Sequence, residues 1–131
     1  MINLEEIEKL FDKPGFYRHN GFHVVDIALG ESAILKADIT EESLNPYGIV
    51  HGGLIFGLGD TAMGIVAKST GRSAVTLSSN ISYLKPSTGE YLIAKASMIK
   101  NGKTTCFLRC DFYDEKDQLT ATMDGSYYYI D

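Results

Sequence analysis

An almost wholly apolar run over residues 54–67 constrains this chain more than any other feature, because its only polar side chains are Asp60 and Thr61. A helix drawn over the run presents apolar residues on every side, so it has to be buried all round. The run is too short for a membrane span, which needs roughly 18 or more apolar residues, and it carries a carboxylate near its middle. We therefore predict a core helix.

Glycine is concentrated in the same segment. Five of the 13 glycines lie in the run or just before it, namely Gly52, Gly53, Gly57, Gly59 and Gly64. Each glycine in a helix interior costs about 1 kcal/mol relative to alanine. This cost implies that something approaches the backbone of the helix closely.

The flanking sequence predicts one further helix and six strands. Asn3 stands before Leu4, Ile7 and Leu10, whose spacing predicts a short amphipathic helix with Asn3 as its N-cap. Alternating patterns between turn residues predict strands over residues 22–29, 32–39, 73–84, 90–100, 103–113 and 119–130. Asn101-Gly102 is a two-residue hairpin signal, and we expect the last four strands to form a meander.

The chain of 131 residues contains no linker and no internal repeat, so we expect one α+β domain over residues 1–131. The apolar helix has no other helix of comparable size to bury against. The expected architecture is therefore a long antiparallel sheet wrapped around this single helix.

Composition excludes several classes of function. The formal net charge is −5 and no basic run is present, so we expect no nucleic-acid partner. Cys106 and Cys110 lie four residues apart in a predicted strand, about 13 Å at roughly 3.3 Å per residue, which is too far for a disulfide. Free thiols and an N-terminus without the features of a signal peptide favour the cytoplasm. His19 and His23 have no acid to complete a site, so no metal is expected.

Asp60 is the first candidate for chemistry, because burying a carboxylate costs several kcal/mol unless it is paired, protonated or needed. A position at a helix end or at a solvated interface is the structural alternative. Gly52 and Gly53 stand where the helix begins, and free N–H groups there can stabilise an oxyanion. A sharp turn into the helix would call for the same two glycines.

Residues 45–53 (NPYGIVHGG), Asp60 and residues 81–86 (ISYLKP) together resemble the hotdog-fold acyl-CoA thioesterases of the phenylacetate-pathway, or PaaI-like, type. The resemblance extends through Gly102-Lys103 to residues 119–121 and covers nearly the whole chain. It implies a hotdog fold and a cofactor-free hydrolase that cleaves acyl-CoA thioesters, aromatic ones among them. It also implies that Asp60 is the catalytic carboxylate, acting either as general base toward water or as nucleophile on the thioester carbonyl.

The resemblance implies roles for further residues of the HGG motif. It makes the Gly52 backbone N–H the oxyanion donor and places Gly53 beside the substrate. His51 is given a supporting role, as a general base or as a residue that holds the loop.

Polar residues outside that motif have both functional and structural interpretations. By resemblance, Asn45 and Ser78 orient the attacking water and the acid, although Asn45 is also an ordinary turn residue and Ser78 fits a solvated strand face. Lys85 and Lys103 are candidates for the coenzyme A phosphates, or they are simple surface charges.

Two other functions fit the same residues less well. A hotdog dehydratase would need a histidine and an acid, which His51 and Asp60 supply, but the glycine pair after His51 matches the thioesterase pattern. A non-catalytic acyl-CoA sensor on this fold usually carries a DNA-binding segment, and the 21 residues before Phe22 leave no room for one.

The helix itself predicts how the site is assembled. Gly52 and Asp60 are eight residues apart, so about 12 Å of helix axis separates them. Catalysis needs both within roughly 3 Å of one carbonyl, so we expect a homodimer whose sites each take one group from each chain, and an arrangement as a dimer of dimers. The alternative is a helix that begins well after Gly53, with a bent loop that returns Gly52 to Asp60.

Overall fold

The computed structural model describes residues 3–131. Its elements are α1 (Leu4–Phe11), α2 (Phe16–His19), β1 (Phe22–Ala28), β2 (Ser32–Asp38), a 3-10 turn (Glu41–Ser43), α3 (Gly52–Lys68), β3 (Ala74–Tyr83), β4 (Tyr91–Asn101), β5 (Thr105–Tyr113) and β6 (Leu119–Tyr129). The N-cap prediction for α1 is confirmed, since the Asn3 side chain accepts a hydrogen bond from the Glu6 N–H at 2.9 Å. No helix among the described residues is long and apolar enough to cross a membrane.

Helix α3 packs against strands β2 to β6 of the sheet, as its apolar sequence predicts. The side chains that it buries are Leu54, Ile55, Leu58, Ala62, Met63, Ile65, Val66 and Ala67. The expectation of burial on every side is wrong for a single chain, because one stripe of the helix is only half-buried. This stripe consists of Phe56, Gly57, Asp60, Thr61, Gly64 and Lys68.

Two glycines of α3 lie under tight contacts, which confirms the predicted close approach. A Cβ atom at Gly57 would lie 2.6 Å from the ring of Phe16, and one at Gly59 would lie 2.5 Å from both Phe112 and Met123. These distances are far shorter than van der Waals contact. Gly64 differs, because the nearest side-chain atom to a Cβ there would be 3.9 Å away.

The strand order β1-β2-β4-β5-β6-β3 corrects the predicted meander of four strands. Only β4, β5 and β6 follow one another, while β3 pairs with β6 and lies at the edge of the sheet. The place beside β4 is taken by β2, where the buried Ala33, Leu35 and Ala37 pair with Ala96, Ala94 and Leu92. The link over residues 84–90 therefore runs from the edge strand β3 to the interior strand β4, past β6 and β5, and is not a hairpin.

The predicted hairpin at Asn101-Gly102 forms with a different turn. Strand β4 continues through Asn101, the loop is residues 102–104, and neither Asn101 nor Gly102 has a positive φ. A type I′ turn needs positive φ at both central positions and a type II′ turn at the first, so neither two-residue turn is used. Cys106 and Cys110 are free and buried.

Candidate active site

Asp60 is held by two hydroxyl groups from the edge of the sheet. Thr76 on β3 donates a hydrogen bond to Asp60 Oδ1 at 2.6 Å, and the Tyr127 phenol on β6 donates to the same oxygen at 2.8 Å. No hydrogen bond to Oδ2 is formed by residues 3–131, which leaves that oxygen available to a ligand. A half-buried carboxylate with one oxygen anchored and one free suits a base or a nucleophile.

Tyr127 remains a donor under all ordinary conditions. Burial raises the pKa of its phenol, and the charge of Asp60 raises this pKa further. The protonated phenol is thus fixed beside the carboxylate, and its oxygen also lies 3.0 Å from the Asp60 carbonyl oxygen. The pair lines a groove of about 630 Å³ between α3, β3 and the end of α1.

Ser78 lies on the same strand but is not brought to Asp60. The register of β3 against β6 shifts between Thr76 and Ser78, as expected for a bulge at Leu77. Thr76 pairs with the buried Tyr127, whereas Ser78 pairs with Ser126 on the outward face of the sheet. In a single chain Ser78 is exposed, so its location agrees with the solvated-face interpretation.

The three residues of the HGG motif have different hydrogen bonds at the start of α3. His51 is the N-cap, and its Nδ1 accepts a hydrogen bond from the Gly53 N–H at 2.8 Å, so that N–H is already used. The Gly52 N–H donates to no acceptor among the described residues. The Gly52 carbonyl accepts from the Tyr83 hydroxyl at 2.6 Å. Of the two glycines, Gly52 therefore has the N–H that can bind an oxyanion.

Asn45 shapes the loop before α3. Its Oδ1 accepts hydrogen bonds from the Tyr47 and Ile49 N–H groups at 2.9 and 3.4 Å, as in the turn role considered from the sequence. Asn45 and Gly52 line a second, smaller cavity of about 290 Å³, together with Tyr83 and Lys85.

The two candidate lysines lie in different parts of the chain. Lys85 lines the Gly52 cavity, where its ammonium binds Gln118 and lies 3.5 Å from an Asp114 carboxylate oxygen. Lys103 lies in the loop between β4 and β5, and its carbonyl accepts a hydrogen bond from Arg72 at 2.8 Å. Lys103 does not line the Gly52 cavity that Lys85 lines.

The groups proposed for catalysis form two separate half-sites. Helix α3 runs without a break from Gly52 through Asp60 to Lys68, so the alternative of a later helix start is wrong. About 12 Å of helix axis lies between Gly52 and Asp60, and the two residues line different cavities. Sequence reasoning missed Thr76, Tyr127 and Tyr83, because no local pattern reveals contacts between residues so far apart in the chain.

Other polar clusters do not extend the site. His23 Nε2 lies 2.9 Å from an Asp38 oxygen, so an acid does accompany this histidine, contrary to the sequence argument. The part of the chain that the structure describes holds no group of three or more residues suited to a metal ion.

An antiparallel sheet wrapped around one helix, with a carboxylate in that helix and glycines at its start, defines a hotdog-fold thioester hydrolase. Comparison with known families agrees with this class. The chain belongs to the thioesterase superfamily, whose model matches residues 47–121, and it is of the PaaI-like type.

Individual relatives support the fold and the family. The acyl-coenzyme A thioesterase PaaI of Escherichia coli K12 is 30% identical over 94 residues, which is 71% of this chain and 67% of that protein. The solved structure of E. coli PaaI superposes with a TM-score of 0.91 over 97% of this chain and 92% of its own, at 23% identity, and confirms the fold. A Streptococcus mutans protein solved with acetyl CoA is 33% identical, with a TM-score of 0.78 over 82% of this chain and 87% of that one.

A hypothetical thioesterase protein of Streptococcus pneumoniae TIGR4 is informative about individual residues. Two of its structures carry alanine in place of an aspartate or of a threonine, with 26% identity and TM-scores of 0.79 over 83% of this chain. They cover 89% and 90% of those chains. The two altered positions are 16 residues apart, the same separation as Asp60 and Thr76.

Proposed function

We propose that this protein hydrolyses acyl-CoA thioesters to the free acid and coenzyme A, with Asp60 as the reacting carboxylate. The observation that carries the proposal is the anchoring of Asp60 Oδ1 by Thr76 and Tyr127 beside an open groove. The acetyl CoA bound to the S. mutans protein and the coenzyme A bound to the S. pneumoniae thioesterase support the substrate class. An aromatic acyl group is one candidate within that class.

Two chemical routes use the free Oδ2 of Asp60. As a general base, it takes a proton from water while the water oxygen attacks the thioester carbonyl. As a nucleophile, it attacks that carbonyl itself and forms a mixed anhydride that water then cleaves. Both routes release the thiolate of coenzyme A, which takes up a proton, and both place negative charge on the carbonyl oxygen. Thr76 and Tyr127 fix the carboxylate in either case.

The Gly52 N–H is proposed to bind the developing oxyanion from the partner subunit. Its hydrogen is not used within the chain, and it lies at the positive end of α3. His51 supports it by capping Gly53, and Asn45 holds the preceding loop, with its amide nitrogen left to orient water. Lys85 is proposed to exchange Asp114 for a phosphate of coenzyme A, with Lys103 as a second candidate.

A homodimer that pairs two β3 strands would complete the site. Strand β3 is a ten-residue edge strand without a single charged side chain, and it exposes Val75 and Leu77. Natural edges are normally protected by charges, proline or bulges. Strand β3 has no charge and no proline and only the one bulge at Leu77, so an edge of this length favours pairing with another strand. Strand β1, at the other edge, carries His23 and Asp26 and a register shift near Val25. A dimer of such dimers is the proposed assembly.

The first test is Asp60→Asn, which keeps the volume of the side chain and removes its basicity. Turnover of a generic acyl-CoA, followed by release of free thiol, should fall to background while the melting temperature stays near that of the wild type. A variant that keeps most of the wild-type rate would overturn the assignment. A wild-type protein that binds acyl-CoA without hydrolysing it would instead be the sensor.

The shared site is tested by mixing two inactive chains, Asp60→Ala and Gly52→Pro. Proline lacks the N–H, whereas a Gly52→Ala control keeps the N–H and adds a similar contact with Tyr83. Random pairing makes about half of the dimers mixed, each with one intact site of two, so about a quarter of wild-type activity should return. Verified mixed dimers without activity would show that both groups act within one chain.

A further inference from the structure

The groove beside Asp60 continues along α3 and ends at a cation. Asp60, Gly64 and Lys68 follow one another at four-residue spacing, so they lie on one face of the helix. Between the two charged ends the groove is bordered by Gly64, Val75 and residues of α1. The other polar side chains that line the groove are Thr76 and Tyr127 beside Asp60, Ser73 beside Lys68, and Thr61, whose hydroxyl donates to the Gly57 carbonyl. An apolar stretch with polar groups at its two ends is the usual design of a site that fixes the orientation of a ligand.

Lys68 is placed by a neutral partner. Its Nζ donates a hydrogen bond to Ser73 Oγ at 3.0 Å, and both residues line the groove. No carboxylate of residues 3–131 lies within 4.0 Å of this ammonium, although the chain has an excess of acidic groups. A lysine in the last turn of a helix is favoured by the helix dipole, but that preference is equally satisfied by a side chain in open solvent. Lys68 is half-buried at the end of the groove, and its ammonium has only this neutral partner among the described residues, which leaves its charge for a ligand.

The length of the groove matches an acyl chain. About 12 Å of helix axis separates Asp60 from Lys68, and a lysine side chain leans toward the start of its helix, which shortens the distance to be spanned. Between Asp60 and Lys68 the surface of the groove has no side chain at Gly64, and a Cβ atom there would have its nearest neighbour at 3.9 Å. An acyl group whose carbonyl lies at Asp60 would thus run over Gly64 with its far end at Lys68.

We propose that the preferred substrates are acyl-CoA thioesters with a carboxylate at the end of the acyl chain remote from the thioester, and that Lys68 binds that carboxylate. The inference rests on the proposed thioesterase activity and names its substrate class. Ser73 positions the ammonium, and the eight-residue separation of Asp60 and Lys68 sets the acyl chain length at which both ends are bound.

The test compares matched pairs of substrates that differ only at the far end, hexanoyl-CoA with adipoyl-CoA and octanoyl-CoA with suberoyl-CoA. Lys68→Met keeps the apolar stem of the side chain and removes the charge. It should lower kcat/KM for the better dicarboxylyl substrate by about 10-fold, the usual scale for a charge-assisted hydrogen bond, and leave the matched neutral ester unchanged. Ser73→Ala should give a smaller loss on the same substrate. Lys95→Met, on an exposed part of β4, is the matched control and should change neither rate.

Each further outcome has a defined meaning. If wild-type and Lys68→Met proteins hydrolyse each neutral ester and its dicarboxylyl partner in the same ratio, the inference is wrong while the thioesterase function stands. An equal rise in KM for all four esters would place the coenzyme A moiety at Lys68 and would also overturn it. If the wild-type protein cleaves none of the four, the inference fails, and the proposed function fails with it only if an aromatic acyl-CoA is not cleaved either.

Discussion

Removing the Thr76 hydroxyl should slow hydrolysis by a predictable amount. Thr76→Ala takes away one of the two donors to Asp60 Oδ1, the one at 2.6 Å, and leaves the Tyr127 donor in place. A hydrogen bond to a charged group is worth about 1.5 to 3 kcal/mol, and Thr76 is exposed in the single chain, so the lower end applies. About 1.5 kcal/mol corresponds to a loss of about tenfold in kcat.

Ser78→Ala is the matched control. Ser78 is also exposed on β3, and its substitution by alanine also removes a single hydroxyl. Its outward position predicts a kcat within about twofold of wild type. Thr76→Ser keeps the hydroxyl and should restore most of the rate. Steady-state kcat and KM for one acyl-CoA, measured beside thermal melts of all three variants, decide the matter. A Ser78→Ala loss as large as that of Thr76→Ala would refute the assignment of faces along β3.

Two properties of the core should also be measurable. Gly59→Ala should lower stability by about 1 to 3 kcal/mol, because the added Cβ would lie 2.5 Å from its neighbours, whereas Gly64→Ala should be neutral or stabilising in the same denaturation assay. Burial raises the pKa of the Cys110 thiol, so the folded state keeps a proton that the unfolded chain loses above about pH 8.5. Stability should therefore be fully present below that pH and fall by about 1.4 kcal/mol by about pH 9.5, and melts of Cys110→Ala should show a smaller decrease.

Much of the fold follows from periodicity and turn chemistry. The apolar run predicted α3 and its tight contacts, and alternation predicted every strand to within two residues at either end. The order of the strands in the sheet could not be predicted in this way. Alternation with a period of two shows which residues share a face of a strand, but it does not show which strand lies beside which. The edge position of β3 is decided by the pairing of β2 with β4, between residues about sixty positions apart in the chain.

The residues of the site fall into two groups in the same way: the local sequence indicates some of them, and contacts between distant parts of the chain place the others. Asp60 stands out because a carboxylate in an apolar helix is costly, and Gly52 stands out because it begins that helix. Thr76 does not stand out in the sequence. Strict alternation along β3 would predict which hydroxyl groups face the helix, but the bulge at Leu77 reverses that alternation. Tyr127 is 67 residues from Asp60, and no local pattern links the two.

Strand β3 contacts both half-sites, and this predicts how two chains pair. Thr76 near one end binds Asp60, and Tyr83 at the other end binds the Gly52 carbonyl. An antiparallel pair of β3 strands therefore joins the half-sites of two chains only if Thr76 lies opposite Tyr83 of the other copy. Opposite residues must face the same side, and Thr76 and Tyr83 do so because of the intervening bulge.

This requirement puts the twofold axis at Asn80. Directly opposite residues in an antiparallel pair have Cα atoms about 4.5 to 5.5 Å apart, which permits a disulfide. Asn80→Cys should accordingly form a covalent dimer under mild oxidation and remain active, because Asn80 lies on the outward face with Ser82. Ser82→Cys is two residues from the axis and should stay uncrosslinked on a non-reducing gel. Efficient crosslinking of Ser82→Cys but not of Asn80→Cys would mean a different register, and the half-sites would then not meet as argued.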